Sequence, residues 1–352
     1  MDLRLIGADA RIDSLFSSYS RRGSVLGRIF FADRGRYRLF TVEGERPATV
    51  AGRLLLEAGQ PANLPAVGDW VAARCGDQNA CVIESVLPRR NYLSRRAAGK
   101  REEEQVMAAN IDTVLVLCGL DRDFNLRRLE RYLTIARESG IDPVIVLNKA
   151  DLCVELAARL DETIRIARGA PVVSTIATAD DGLAGLLPLI VPGQTLAVIG
   201  SSGAGKTTLL NRLMGRDEYA TRETRAGDNR GRHTTTFRQL APLPNGSVLI
   251  DTPGMRELQL WAAEDALDET FEDIAHIASQ CRFRDCSHRT EPDCAIREAL
   301  RNGDIDEARW RNYEKLRAEI RRHEYRTGER AALEEKKRVK KACKAMRDYG
   351  RR

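Results

Sequence analysis

One octapeptide constrains this chain more than any other feature. Gly200-Ser201-Ser202-Gly203-Ala204-Gly205-Lys206-Thr207 fits the pattern G-x-x-x-x-G-K-[ST]. It follows the apolar run Thr195–Ile199 and opens the helically spaced stretch Thr207–Met214. A glycine-rich turn between a buried strand and a helix lets successive backbone N–H groups converge on phosphate oxygens, and the helix N-terminus adds the positive end of its dipole. Lys206 is placed to reach β- and γ-phosphates, and Thr207 to ligate a magnesium ion. Such a loop needs a parallel α/β layer around it. Asp112–Leu120, Pro143–Leu147, Pro171–Val173, Gln194–Ile199 and Ser247–Ile250 are buried-strand candidates, and Leu126–Ser139 has helical spacing.

The base follows from a second motif. Asn148-Lys149-Ala150-Asp151 directly follows the run Val144–Leu147. A carboxylate at Asp151 can accept from guanine N1–H and from the exocyclic amino group. Adenine lacks that donor pair and would leave Asp151 unpaired, and a site built for a hydrogen bond rejects analogues lacking it by orders of magnitude. Beside a phosphate loop, this motif predicts GTP. Ser174-Thr175 is placed to add a backbone contact to the base. In Asp251-Thr252-Pro253-Gly254, Asp251 is expected to hold magnesium through water and the Gly254 N–H to meet the γ-phosphate. Between these motifs lies Gly227–Thr236; one of Thr234, Thr235 or Thr236 is expected on the magnesium, with Thr235 the choice. Thr208 adds a further phosphate contact. Met255 occupies the position where many GTPases carry a water-orienting glutamine. His233 is the internal candidate for that role, against the plainer reading that it packs or caps a loop.

Upstream, residues 23–86 read as five short strands: Val25–Phe31, Arg36–Val42, Ala48–Leu56, Asp69–Arg74 and Cys81–Val86. Five strands in some sixty residues suggest a small barrel of the OB type, and Arg28, Arg34, Arg36 and Arg38 beside Phe30, Phe31 and Tyr37 suit base stacking with phosphate contact. The alternative is that Phe30 or Phe31 is core and the arginines are solvated. A polar linker is expected from Pro88 to about Glu104. Past Ala262 no strand pattern remains, and a longer helix is expected from Asp304, capped there with Glu307 three positions on.

Cys281, Cys286, His288 and Cys294 stand at metal-ligand spacing, three thiolates and one imidazole of the kind a closed structural zinc site takes. Cys75, Cys81, Cys118 and Cys153 are scattered, which predicts free thiols in a reducing compartment. From Arg309 to the C-terminus the chain carries 17 basic and 7 acidic residues, whereas everything before it carries 40 and 44. The excess positive charge is therefore confined to one segment, the footprint of a polyanion binder. No apolar run approaches the roughly 18 residues needed to cross a bilayer, and residues 1–23 lack a signal-peptide pattern, so a cytoplasmic protein with no membrane partner is expected. Nothing in the sequence suggests an obligate dimer, and a monomer is expected.

The motif order is base loop, second base loop, phosphate loop, switch one, switch two. Ordinary GTPases present the phosphate loop first, so the chain looks like a circularly permuted GTPase. With the barrel before it and the Cys/His cluster after it, residues from about 23 to 325 resemble the RsgA (YjeQ-like) family of ribosome small subunit-dependent GTPases. The resemblance implies a late assembly factor of the 30S subunit that binds 16S rRNA near the decoding region and hydrolyses GTP there with magnesium. It also implies one structural zinc on Cys281, Cys286, His288 and Cys294. The expected layout is an N-terminal extension (1–22), an OB-fold barrel (23–95), an α/β circularly permuted P-loop GTPase domain (96–262), an α-helical zinc-binding domain (263–325) and a basic tail (326–352). The competing expectation is a GTP-gated RNA-binding module with negligible hydrolysis, kept open by Met255.

Overall fold

The N-terminal third alternates apolar and polar residues between turn formers, the pattern of strands with one buried face. In the computed structural model, which describes residues 1–20, 23–76, 80–96, 103–215, 238–251, 258, 260 and 264–325, the chain forms two compact units, Met1–Gln259 and Leu260–Arg352. The first opens with a short 3-10 turn, Leu3–Ile6, and helix α1 (Ala10–Ser20), which bury Ile6 and Ile12. Strands β1 (Val25–Asp33), β2 (Arg36–Thr41), β3 (Gly44–Val50), β4 (Trp70–Cys75) and β5 (Cys81–Val86) follow in the order β1-β2-β3-β5-β4. Because β4 also pairs with β1, the five strands close on themselves around Ile29, Leu39, Val71 and Ile83.

Four expectations change here. The strand expected to Leu56 stops at Val50, and helix α2 (Gly52–Ala58) takes over with Leu55 and Leu56 exposed; a short apolar run does not distinguish the two by periodicity. The Arg28 side chain is fully buried rather than offered to a ligand. It donates to Gly68 O (3.3 Å), Ile6 O, Asn110 O (3.3 Å) and Thr195 Oγ1 (2.9 Å), joining the N-terminal turn, the barrel and the central sheet. Burial, only partly opposed by Asp112, brings its pKa down to about 10. Phe30 and Tyr37 are core as well; Phe30 stacks on Phe40 with centroids 4.1 Å apart. Finally, Cys75 and Cys81 face each other in the β4–β5 register and are joined as a disulfide, so these two are not free thiols.

Beyond the barrel, β6 (Tyr92–Arg96) and β7 (Glu104–Ala109) pair antiparallel where a linker was expected; Leu93 and Ser94 are both buried, so the arginine-rich segment shows no period-two pattern to mark it. Then come β8 (Thr113–Gly119), α3 (Leu126–Glu138), β9 (Asp142–Asn148), α4 (Leu156–Ala167), β10 (Val172–Thr175), β11 (Thr195–Gly200), α5 (Lys206–Met214), β12 (Arg238–Pro242) and β13 (Val248–Asp251). The sheet order is β10-β9-β8-β11-β13-β12, parallel except for β12, and β12 continues into the barrel by pairing with β1. Every residue of β8 and β11 is buried, as expected for strands covered on both faces. Asn125 caps α3 by accepting from Arg128 N at 3.0 Å.

The second unit contains α6 (Glu264–Thr270), α7 (Glu272–Ala278), α8 (Ala295–Asn302) and a helix α9 across 307–325. Phe271, Ile274, Ile296, Tyr313, Leu316 and Ile320 form its interior. The cap of α9 is Asp306, not Asp304: its Oδ2 accepts from Arg309 N at 3.1 Å, while Asp304 N is used by Ala299 O to close α8. No helix among the described residues is long and apolar enough to cross a membrane.

Candidate nucleotide and metal sites

Parallel strands present their carboxyl ends on one edge, and ligands of open α/β sheets bind there. Register makes the convergence specific. Gly200 lies opposite Leu117, Gly119 opposite Asn148, and Asn148 opposite Thr175. Phosphate loop, base loop and second base loop therefore meet although 26 to 52 positions separate their pivotal residues along the chain (148, 174 and 200).

Asn148 is the joint between them. It is 2% exposed; its Nδ2 donates to Ala204 O (3.0 Å), and its Oδ1 accepts from Thr175 Oγ1 (3.1 Å) and Ala177 N (3.1 Å). A Cβ added at Gly205 would stand 2.2 Å from that Nδ2, and φ there is +96°, so glycine is required on both counts. Lys149, in the left-handed region at φ +63°, donates to Asp121 Oδ2 (2.6 Å) and to Gly203 O (2.6 Å). Burial would raise the Asp121 carboxyl, but the Lys149 ammonium prevails and holds it below the usual range. Ala150 and Asp151 begin a 3-10 turn, with Asp151 exposed, and Ser174 is half-buried at the end of β10.

In the phosphate loop itself, Ser202 and Gly203 are exposed and Ala204 is buried. Lys206 Nζ turns back onto Gly200 O (2.9 Å) and Ser201 O. Ser201 Oγ donates to Asp123, in the turn between β8 and α3. Thr207 and Thr208 lie on the first turn of α5, and Asp251 ends β13 beside β11. Thr207 and Asp251 supply the hard oxygen donors that magnesium prefers. Asp121 and Asp123 had no motif to mark them; their position just past the carboxyl end of β8 is the available clue, whereas Thr175, expected to offer its backbone, ends β10 and gives its hydroxyl to Asn148. Gly227–Thr236 with His233, Thr234, Thr235 and Thr236, Gly254, Met255 and the tail 326–352 lie outside the described residues.

In the second unit, Cys281, Cys286, His288 and Cys294 bring one ligand atom each to within 4.8 Å of one another, the one such grouping of three or more candidate ligands among the described residues. Cys281 Sγ and Cys294 Sγ are 3.9 Å apart, and each is 3.5 Å from His288 Nδ1. Zinc–sulfur and zinc–nitrogen bonds of about 2.3 and 2.0 Å give tetrahedral edges of about 3.8 and 3.5 Å, so these residues fit a tetrahedral ion. Burial and then Arg317 hold the His288 imidazole below its usual value, which favours the neutral ligand form. Trp310 meets that ring edge-on at 5.5 Å. Glu291 ties the loop by accepting from Ser287 N (2.9 Å), Ser287 Oγ (2.6 Å), Arg289 N and Thr290 N (both 3.1 Å). These bonds hold its carboxyl down at about 2.

Residues 86–261 match the RsgA GTPase family. The chain is 47% identical over 329 residues to the small ribosomal subunit biogenesis GTPase RsgA of Opitutus terrae, covering 91% of this chain and 90% of that protein. It is 48% identical over 298 residues to small ribosomal subunit biogenesis GTPase RsgA 2 of Lactiplantibacillus plantarum, covering 85% and 84%. Among solved structures, YjeQ from Thermotoga maritima aligns with a TM-score of 0.61 at 28% identity, over 84% of this chain and 98% of that one. YloQ, described as a circularly permuted GTPase, aligns with a TM-score of 0.56 at 25% identity, over 85% and 95%.

Proposed function

Since the chain belongs to the RsgA GTPase family, we propose that it hydrolyses GTP as a biogenesis factor of the small ribosomal subunit, acting as a cytoplasmic monomer on 16S rRNA. The observation that carries this is the Asn148 joint, which holds the phosphate loop and both base loops together at one sheet edge. Asp151 selects guanine. The backbone of residues 200–207, with Lys206 and Thr208, binds the phosphates; Lys206 exchanges its two carbonyl partners for them. Thr207, Asp251 through water and a switch-one threonine, Thr235, would hold the magnesium, which would supply positive charge against that of the phosphates. Gly254 N–H meets the γ-phosphate. His233 orients the attacking water in place of a glutamine: His233→Ala should lower stimulated kcat with GTP affinity retained, and an unchanged rate excludes the role.

We assign the barrel to the OB type because its strand order closes on β1 with a helix between β3 and β4. The proposed layout is a barrel at 23–95, a GTPase domain at 96–262 and a zinc-binding domain at 263–325, with zinc as the ion at the Cys/His cluster. For the rRNA surface, Arg34 and Arg36 at the β1–β2 turn and Arg282, Arg284 and Arg289 around the cluster are exposed, and phosphate contacts draw on such side chains together with the basic tail. Phosphate release with and without purified small subunits tests the function. Slow release alone and a large stimulation are expected; equal rates favour a GTP-gated binding module.

A further inference from the structure

The turn between β8 and α3 carries a carboxylate that the GTPase machinery does not explain. Asp123 is 16% exposed at its side chain and sits against the phosphate loop, where a second negative charge opposes polyphosphate binding. Its geometry is fully committed. One oxygen accepts from Ser201 Oγ, the other pairs with Arg128 from the first turn of α3, and its backbone N–H donates to Asp121 Oδ1 at 3.0 Å. The Ser201 carbonyl also accepts from Lys206 Nζ, a bond released when Lys206 turns to the phosphates, so the Asp123 contact is the tether that stays. Arg128 offsets the Asp123 charge, so what remains is a rigid acceptor for one hydroxyl.

We propose that Asp123 is a positioning residue for GTP hydrolysis: it fixes Ser201 and thereby the N–H groups of Ser202 and Gly203 that follow, while Arg128 cancels its charge. The proposal rests on the GTPase reading of this pocket. Base recognition is secured separately, through Asn148 and the Lys149–Asp121 pair, so the Ser201 tether acts on turnover more than on affinity. A preorganised donor set matters most where charge develops in the transition state.

The test uses the full chain carrying Asp123→Ala, Asp123→Asn, Ser201→Ala and the Asp123→Ala/Ser201→Ala pair. Thermal melting verifies folding, a fluorescent GDP analogue reports affinity, and subunit-stimulated phosphate release reports kcat and KM. Asp123→Ala should lower kcat about tenfold, the size of one charge-assisted hydrogen bond, with GDP affinity changed less than about threefold. Asp123→Asn keeps an acceptor for Ser201 and should stand nearer the parent than the alanine variant. Ser201→Ala should match Asp123→Ala, and the double variant should be no slower than either. A parental kcat in Asp123→Ala, a kcat and GDP affinity that fall together, or single effects that multiply in the double variant would each overturn the assignment. Absence of GDP binding by the parent protein would instead strike the GTPase reading itself.

Discussion

Truncating Asn148 to alanine removes a three-bond junction from a place where the side chain is 2% exposed. At roughly 0.5–1.5 kcal/mol net per bond, the loss is about 1.5–4.5 kcal/mol, and the Ala204 carbonyl, the Thr175 hydroxyl and the Ala177 N–H are left without their partner. The protein makes these bonds before nucleotide arrives, so the loss enters folding stability first. Only the share that loosens the loops enters affinity. That share should reach about 1.4 kcal/mol, a tenfold weaker GDP complex. Thr175→Val removes a single bond at nearly constant shape and should lose about a third as much stability. Chemical denaturation and calorimetric titration with GDP and magnesium measure the two quantities on one preparation. A variant whose denaturation midpoint and GDP affinity both match the parent would refute the idea that Asn148 joins the loops.

Asp151→Asn should weaken GTP strongly and favour xanthine nucleotide, because the amide presents a donor where guanine also donates; competition binding with the two triphosphates reads this, and unchanged preference refutes the base assignment. Elemental analysis of the purified protein should find about one zinc per chain, the number one closed four-ligand cluster holds. Cys294→Ser should lower that content while GDP affinity persists, whereas undiminished zinc would place the ion elsewhere. Glu291 has a folded pKa of about 2 against a reference value of 4.5. Its contribution is thus complete above 4.5 and lost as pH falls toward 2. Glu291→Ala should flatten that acid limb in a pH series of melting curves, and an identical limb in the variant excludes it.

The phosphate loop was legible because its chemistry restricts its letters: glycine at 205 answers to a positive φ and to the Asn148 amide, which an added Cβ would meet at 2.2 Å. The Cys/His cluster was legible for the same reason, since few residue types ligate metal. Asp121 and Asp123 were not, because a carboxylate in a turn has no spacing rule and acquires its task only when the sheet register brings it to the loop. Arg28 reads as a solvated or ligand-binding cation until the N-terminal turn and Thr195 supply neutral acceptors that bury it. Likewise Cys75 and Cys81 look scattered along the chain, yet the β4–β5 register sets them face to face. Short apolar runs failed in another way: the stretch through Leu56 suits a strand or a helix, and packing decides.

Isothermal titration of the intact protein with magnesium addresses the central claim most directly. GDP and a non-hydrolysable GTP analogue should each bind at one site per chain, with ATP giving no comparable heat at the same concentrations. Tight ATP binding with no response to either guanine nucleotide would contradict a pocket in which Asp151 reads the base and residues 200–207 hold the phosphates.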